Sequence, residues 1–217
     1  MKPEIYISID IEADGPIPGD NSMLSLGAAA FILDPKVTDP KCEVHTYLMA
    51  DGRCTCPGWS ITGRFQANLE ALPGATPNHD TMQWWSTQPD AWDACRKNLQ
   101  PPEQAMAKFK AWVIEIAKDG PVVLAGYPVT YDFNFVYWYT IHFCGFPAPF
   151  GFQGLGIKTL AADRMGCSYK HATKKNMPKR WFVGAPKHTH EALDDAIGQG
   201  VLLMNILKER SPHASAL

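Results

Sequence analysis

Charge of one sign is scarce in this sequence. Its 20 Lys and Arg against 22 Asp and Glu leave a net charge of −2 over 217 residues, and the isoelectric point is near 6.4. No whole-molecule field therefore draws it to nucleic acid or to a membrane surface, and a polyanion site has to come from local clustering. Metal-binding cysteine patterns are missing too. Cys42, Cys54, Cys56, Cys95, Cys144 and Cys167 contain no C-x-x-C pair and form no compact Cys/His set, which favours free thiols in a reducing compartment. Met1-Lys2-Pro3 leads straight into a strand pattern with no signal-peptide core, and no apolar run approaches the roughly 20 residues of a membrane span. The expectation is a soluble cytoplasmic protein with no membrane partner. Its 46% hydrophobic content and its length suit one α/β domain over residues 1–217 better than two small ones. The last absence is local. Between Asp163 and Glu191 there is no acidic residue, while Arg164, Lys170, Lys174, Lys175, Lys179, Arg180 and Lys187 supply seven of the chain's cations.

What is present begins with the stretch Glu4 to Glu12. Ile5, Ile7, Ile9 and Ile11 alternate with Tyr6, Ser8, Asp10 and Glu12, so a period of two places four isoleucines on one face and two carboxylates on the other. Like charges on one face of a buried strand call for a cation, and a hard divalent ion such as Mg²⁺ or Mn²⁺ suits oxygen ligands. An edge strand with its polar face in water is the plainer alternative at this point. Met23–Leu33 is expected as a second strand, ended by Asp34-Pro35. Its small residues around Gly27 leave room for a bound backbone or mark a bulge. Glu43–Met49 is expected as a third strand, making an antiparallel meander. Residues 51–79, rich in Gly, Pro, Thr and Asn, read as a long irregular excursion.

Helical patterns and short strands follow. Trp84, Trp85 and Trp92 cluster on a helical stretch, either as a platform on which bases stack or as ordinary packing. Pro102 to Gly120 has the apolar stripe of a core-facing helix, Pro121–Gly126 is a continuously apolar buried strand, and a further helix starts at Asp132. Asp132 sits at the carboxyl end of that strand and is a natural helix cap, although α/β sites collect at such ends. Gly151–Ile157 contains a last short strand, and Lys158–Met165 a short helix. The basic loop at about 164–190 has the composition to track a phosphodiester backbone, with Lys174, Lys175, Lys179 and Arg180 as candidate contacts; a solvated loop is the plainer reading. His188-Thr189-His190-Glu191-Ala192-Leu193-Asp194-Asp195 then opens the final helix, where a loop-borne imidazole and a helix-anchored carboxylate can converge. Gly198 and Gly200 in that helix suggest close packing on the strand of Asp10 and Glu12.

Asp10-x-Glu12 on a first strand, Asp132 after a late strand and His190-x4-Asp195 at the last helix, in that order, resemble the three motifs of the DEDDh family of 3′→5′ exonucleases. The resemblance spans nearly the whole chain, with His190-x4-Asp195 its most specific part and Tyr131 standing where relatives often have Phe. It implies a ribonuclease H-like fold, a mixed sheet whose first three strands are antiparallel and whose later ones are parallel, flanked by helices. It also implies two divalent cations, Mg²⁺ or Mn²⁺, held by Asp10, Glu12, Asp132 and Asp195, with His190 as general base. His188 stands second for that role and is expected on the rim, because its six-residue step to Asp194 breaks the spacing. The substrate would be a single-stranded DNA or RNA 3′ end or a 3′ overhang, bound by Lys174, Lys175, Lys179, Arg180, Trp84 and Trp85, and the product nucleoside 5′-monophosphates. A phosphodiesterase acting on short or cyclic oligonucleotides, closed by the 51–79 excursion, stays open, as does a non-catalytic nucleic-acid-binding module. Retention of all five motif residues argues against the second. A homodimer is left open, with Trp138 and Phe150 as candidate interface aromatics.

Overall fold

The computed structural model describes residues 2–33 and 58–209. Its strands are β1 (Ile5–Ala13), β2 (Met23–Leu33), β3 (Trp59–Asn68), β4 (Val122–Gly126) and β5 (Gly154–Gly156), and its helices are α1 (His79–Trp85), α2 (Pro89–Cys95), α3 (Pro102–Ala117), α4 (Val129–Cys144), α5 (Ile157–Met165) and α6 (Ala192–Leu207). The strands form one sheet in the order β3-β2-β1-β4-β5. The first three run antiparallel, and β4 and β5 are parallel to their neighbours.

The alternation of β1 divides the molecule into layers. Ile5, Ile7, Ile9 and Ile11 pack with Phe109 and Val113 of α3 and Phe135, Val136 and Tyr139 of α4. On the other face, Ala29 and Phe31 of β2 pack with Ile157 and Ala161 of α5 and with Val201, Leu202 and Met204 of α6. The central strand is therefore covered on both sides, and the solvated-edge alternative for Asp10 and Glu12 falls away.

Two expectations about the sheet change. The strand expected at Glu43–Met49 lies outside the described residues. Among the described residues the third strand is Trp59–Asn68, inside the stretch expected to be irregular. There Trp59, Ile61, Gly63, Phe65 and Ala67 alternate with Ser60, Thr62, Arg64, Gln66 and Asn68, a period-two signal hidden by the Gly, Thr and Asn content. Nor does Gly27 mark a bulge. It pairs in register with Asp10 and Gln66, and the irregularities fall elsewhere, between Glu12 and Ala13 of β1 and between Ala30 and Phe31 of β2.

Gly27 is instead a point of close approach. A Cβ there would lie 2.1 Å from the carbonyl carbon of Ala192, so only glycine lets the start of α6 rest on β2. A Cβ on Gly200 would lie 2.0 Å from the ring of Phe31. The tight glycine contact of α6 is thus with β2 rather than with the carboxylate strand. Gly198 has only Pro186 near it, at 3.8 Å. Of the two aromatics considered for a dimer, Phe150 is 6% exposed and belongs to the core, and Trp138 is partly buried and stacks on His142.

Candidate active site

The parallel partner β4 pairs with β1 only from Ile5 to Ser8. Beyond that point β4 no longer accompanies β1, and the first turn of α4 comes up against it. Asp132 Oδ1 accepts the N–H of Ile11 at 3.3 Å. Asp132 is therefore a tether to β1 and not the expected cap, because α4 begins three residues earlier, at Val129, with Pro128 in the cap position. Gly126 at the end of β4 permits this approach, since a Cβ there would lie 3.1 Å from Asp132 Oδ2.

From the other side, α6 brings Asp195. One oxygen from each of Asp10, Glu12 and Asp195 lies within 4.8 Å of the others. One turn further along α6, Gln199 Nε2 donates to Asp10 Oδ1 at 2.6 Å. Gln199 is buried, and its Oε1 finds no partner among the described residues. Gln199 did not figure among the expected site residues. Its signal was a polar side chain four residues after Asp195 on the buried stripe of an otherwise apolar helix.

Asp195 organises the loop in front of its own helix. Its Oδ1 accepts Thr189 N at 3.2 Å and its Oδ2 accepts His190 N at 3.0 Å. His188 Nδ1 lies 2.7 Å from Oδ1. These bonds hold His190 at φ +58°, in the left-handed region that non-glycine residues rarely adopt. The ring of His190 meets Trp84 edge-on at 5.1 Å and His188 at 4.2 Å. His188, expected on the rim, is 55% exposed but bonded directly into the site.

The electrostatics are those of crowded, buried acids. Burial, then Asp132, Glu12 and Asp195, push the carboxyl of Asp10 well above its ordinary range. Burial, with Asp195 and Asp132, raises Glu12 to about 8. Burial raises Asp132 to about 7, against the opposing N–H of Ile11 and the cation of Lys174. His190 is lowered by burial and by His188, so its imidazole is neutral and proton-accepting near pH 7.

A pH dependence follows for the metal-free protein. Glu12 titrates at about 8 when folded and near 4.5 otherwise, so between these values the folded state holds the extra proton and stability falls as pH rises. Asp132 acts in the same sense up to about 7. His190, lowered when folded, opposes them only below its ordinary 6.5. In EDTA the melting temperature should therefore drop between pH 6.5 and 8, by roughly 2–4 °C per kcal/mol lost, and excess Mn²⁺ should remove most of the drop. A flat or rising melting temperature in EDTA over that window would show that the carboxyls do not share one buried site.

The expected substrate-binding set divides. Lys174 stands in the short turn Lys174–Asn176 with its Nζ 5.2 Å from the ring centre of Tyr127, and its charge acts on Asp10, Asp132 and His190. Trp84, 40% exposed, stands at the rim beside His190. Trp85 is not a platform. It is 2% exposed, and its Nε1 donates to Ala13 O at the end of β1 at 3.0 Å. Arg180 is not at the site either. Its Nε and Nη2 pair with Glu209 at 2.5 and 3.1 Å, and Glu209 follows Asp195 by a distance along the α6 axis of roughly 20 Å at 1.5 Å per residue. Lys175 and Lys179 are exposed.

Comparison with known proteins decides the family. The family model described as the 3'-5' exoribonuclease Rv2179c-like domain matches residues 6–207. The chain belongs to this family. It is a 3′→5′ exonuclease, a hydrolase, as the DEDDh resemblance implied. The 3'-5' DNA exonuclease Cap18 of Escherichia coli is 29% identical over 209 residues, covering 94% of this chain and 92% of that protein. Among solved structures, the nuclease domain of 3'hExo, a DEDDh family member bound to rAMP, superposes with a TM-score of 0.61 at 11% identity, over 95% of this chain and 92% of that one. Exonuclease I superposes with a TM-score of 0.57 at 13% identity, over 97% of this chain and 42% of that one. These likenesses agree with the ribonuclease H-like fold, the mixed sheet seen here.

Proposed function

We propose that this exonuclease removes nucleotides one at a time from the 3′ end of single-stranded DNA or RNA in a reaction that depends on divalent cations. The observation that carries the reading is the convergence of Asp10, Glu12 and Asp195 within 4.8 Å, with Asp132 tethered beside them and the imidazole of His190 at their edge. The residues fit a hard cation. Carboxyl oxygens are the only donors of this group, and their raised proton affinities are what crowded acids show without a counter-charge. Asp10, Glu12, Asp132 and Asp195 would hold Mg²⁺ or Mn²⁺, two ions in the reading implied by the family resemblance. Bound there, the ions supply Lewis-acid stabilisation of charge on the phosphoryl oxygens and make a water molecule more acidic.

The side chains have definite work in this scheme. His190, neutral near pH 7, accepts the proton of the attacking water as its oxygen bonds to phosphorus, the bond to the 3′ oxygen of the preceding nucleotide breaks, and that oxygen takes up a proton from solvent. The products are a nucleoside 5′-monophosphate and a strand ending in a 3′ hydroxyl. Asp195 holds His190 in place through its backbone bond, Lys174 faces the phosphoryl charge, and Trp84 offers the terminal base a ring at the rim. The alternative of a closed site for short or cyclic oligonucleotides loses support, because residues 59–68 are built into the sheet as β3. Among the described residues no helix is long and apolar enough to cross a membrane. The family description names an exoribonuclease and Cap18 a DNA exonuclease, so matched labelled single-stranded DNA, single-stranded RNA and 3′-overhang duplexes form the natural substrate panel.

His190→Ala is expected to lower turnover by roughly 10²–10⁴-fold, the scale of general-base catalysis, while calorimetric Mn²⁺ affinity stays within a few-fold. Near wild-type turnover in that variant would remove His190 from the reaction.

A further inference from the structure

We propose that His188, His190 and Asp195 form a second cation site, selective for an imidazole-preferring transition metal such as Zn²⁺, whose occupation arrests the enzyme. The arrest rests on the reading of His190 as proton acceptor, whereas the site itself rests on geometry alone. One nitrogen from each imidazole and one oxygen of Asp195 lie within 4.8 Å of one another. His188 Nδ1 and Asp195 Oδ1 are already 2.7 Å apart, and the two rings stand 4.2 Å apart between centres. A tetrahedral Zn²⁺ with bonds of about 2.0–2.2 Å separates its ligands by roughly 3.3 Å, so small side-chain adjustments around an ion would satisfy all three.

The backbone is prepared for such a set. Asp195 is buried and held by the N–H groups of Thr189 and His190, while His188 is 55% exposed. An ion therefore has fixed ligands on the protein side and an open position toward solvent. Nothing in the proposed hydrolysis needs His188, and its removal leaves every residue of the five-member motif in place.

The two sites sort cations by donor chemistry. Asp10, Glu12 and Asp132 offer only oxygen, which suits Mg²⁺ and Mn²⁺. The His188 set offers two nitrogens and one oxygen, for which Zn²⁺ outranks Mg²⁺. They share Asp195, so occupation of one is felt at the other. Binding at the histidine set takes the imidazole lone pair of His190 and replaces the direct contact between His188 Nδ1 and Asp195 Oδ1. His190 can then no longer accept a proton from water.

The test is calorimetric titration of Zn²⁺ into the full chain in saturating Mg²⁺, compared across wild type, His188→Asn, His188→Gln and Asp10→Asn. Wild type should show one Zn²⁺ site. Both His188 variants should bind Zn²⁺ at least about 10-fold more weakly, the scale seen when residues around a metal are lost, and Asp10→Asn should bind Zn²⁺ no more than a few-fold more weakly than wild type. Mn²⁺ titration of the His188 variants reports whether they remain folded with an intact carboxylate site. In wild type, Zn²⁺ added to the Mg²⁺-saturated enzyme should suppress hydrolysis at the calorimetric Kd, and the His188 variants should need at least about 10-fold more. Unchanged Zn²⁺ affinity in folded His188 variants would overturn the proposal. So would loss of the Zn²⁺ site in Asp10→Asn, which would place the ion among the carboxylates. Loss of Mn²⁺ binding in Asp10→Asn bears on the carboxylate site alone, so the two readings fail separately.

Discussion

Asp10→Asn is expected to cut hydrolysis at least about 10³-fold, the consequence of losing a metal-holding carboxylate, and yet to stabilise the metal-free protein. Burial raises the proton affinity of Asp10, and Asp132, Glu12 and Asp195 all raise it further. Removing its charge removes those repulsions at once. The new side chain also has a partner waiting, because Gln199 Oε1 is buried without one and an amide at position 10 can donate to it. In EDTA at pH 8 the melting temperature should rise by roughly 5 °C, corresponding to ~2 kcal/mol in a domain of this size. In saturating Mn²⁺ the order should reverse, because wild type gains binding energy that the variant cannot. A variant less stable than wild type in EDTA, or one retaining wild-type Mn²⁺ affinity, would sink the view of Asp10 as the hub of a cation site.

Gly27→Ala is the second large effect, and it acts through packing. The added methyl would stand 2.1 and 2.2 Å from the carbonyl carbon and oxygen of Ala192 and 2.3 Å from the nitrogen of Leu193. All three are backbone atoms, so no side-chain rotation relieves the clash and α6 must lift from β2. A cost of about 3 kcal/mol would lower the melting temperature by roughly 6–12 °C. Because Asp195 lies in the first turn of α6 and carries the 188–190 loop, the folded fraction should also lose activity, roughly 10²-fold for a displacement near 1 Å. Gly198→Ala is the matched control. It lies on α6 itself with its nearest neighbour at 3.8 Å, and should be neutral or more stable by up to about 1 kcal/mol, as alanine replaces glycine in a helix. A Gly27→Ala protein melting within 2 °C of wild type, about 1 kcal/mol or less, would contradict this account of the helix contact.

Much of the fold and part of the site were legible without coordinates. The isoleucine alternation of β1, the stripe of α3 and the apolar run of β4 are local periodicities, and each became the element it predicts. The spacing of His190 and Asp195 is equally local, a loop residue and a first-turn residue of one helix. Legibility failed where composition masked a pattern, as at Trp59–Asn68, and where a residue had two local uses. Asp132 reads as a helix cap, and only the early end of β4 pairing leaves the Ile11 N–H that it accepts instead. Tryptophans 84 and 85 are neighbours of like chemistry, yet one is tied to Ala13 inside the protein and the other faces His190.

The sequence by itself determined a central strand with an acidic face and a terminal helix entered through His190 and Asp195, because strand and helix periods depend on residues close together in the chain. Only the tertiary structure decided which charges meet. Asp10 and Gln199 are 189 positions apart, and they touch because Gly27 lets the backbone of Ala192 settle on β2 beside Asp10. Such contacts depend on van der Waals clearance between distant segments, a quantity that no local pattern encodes.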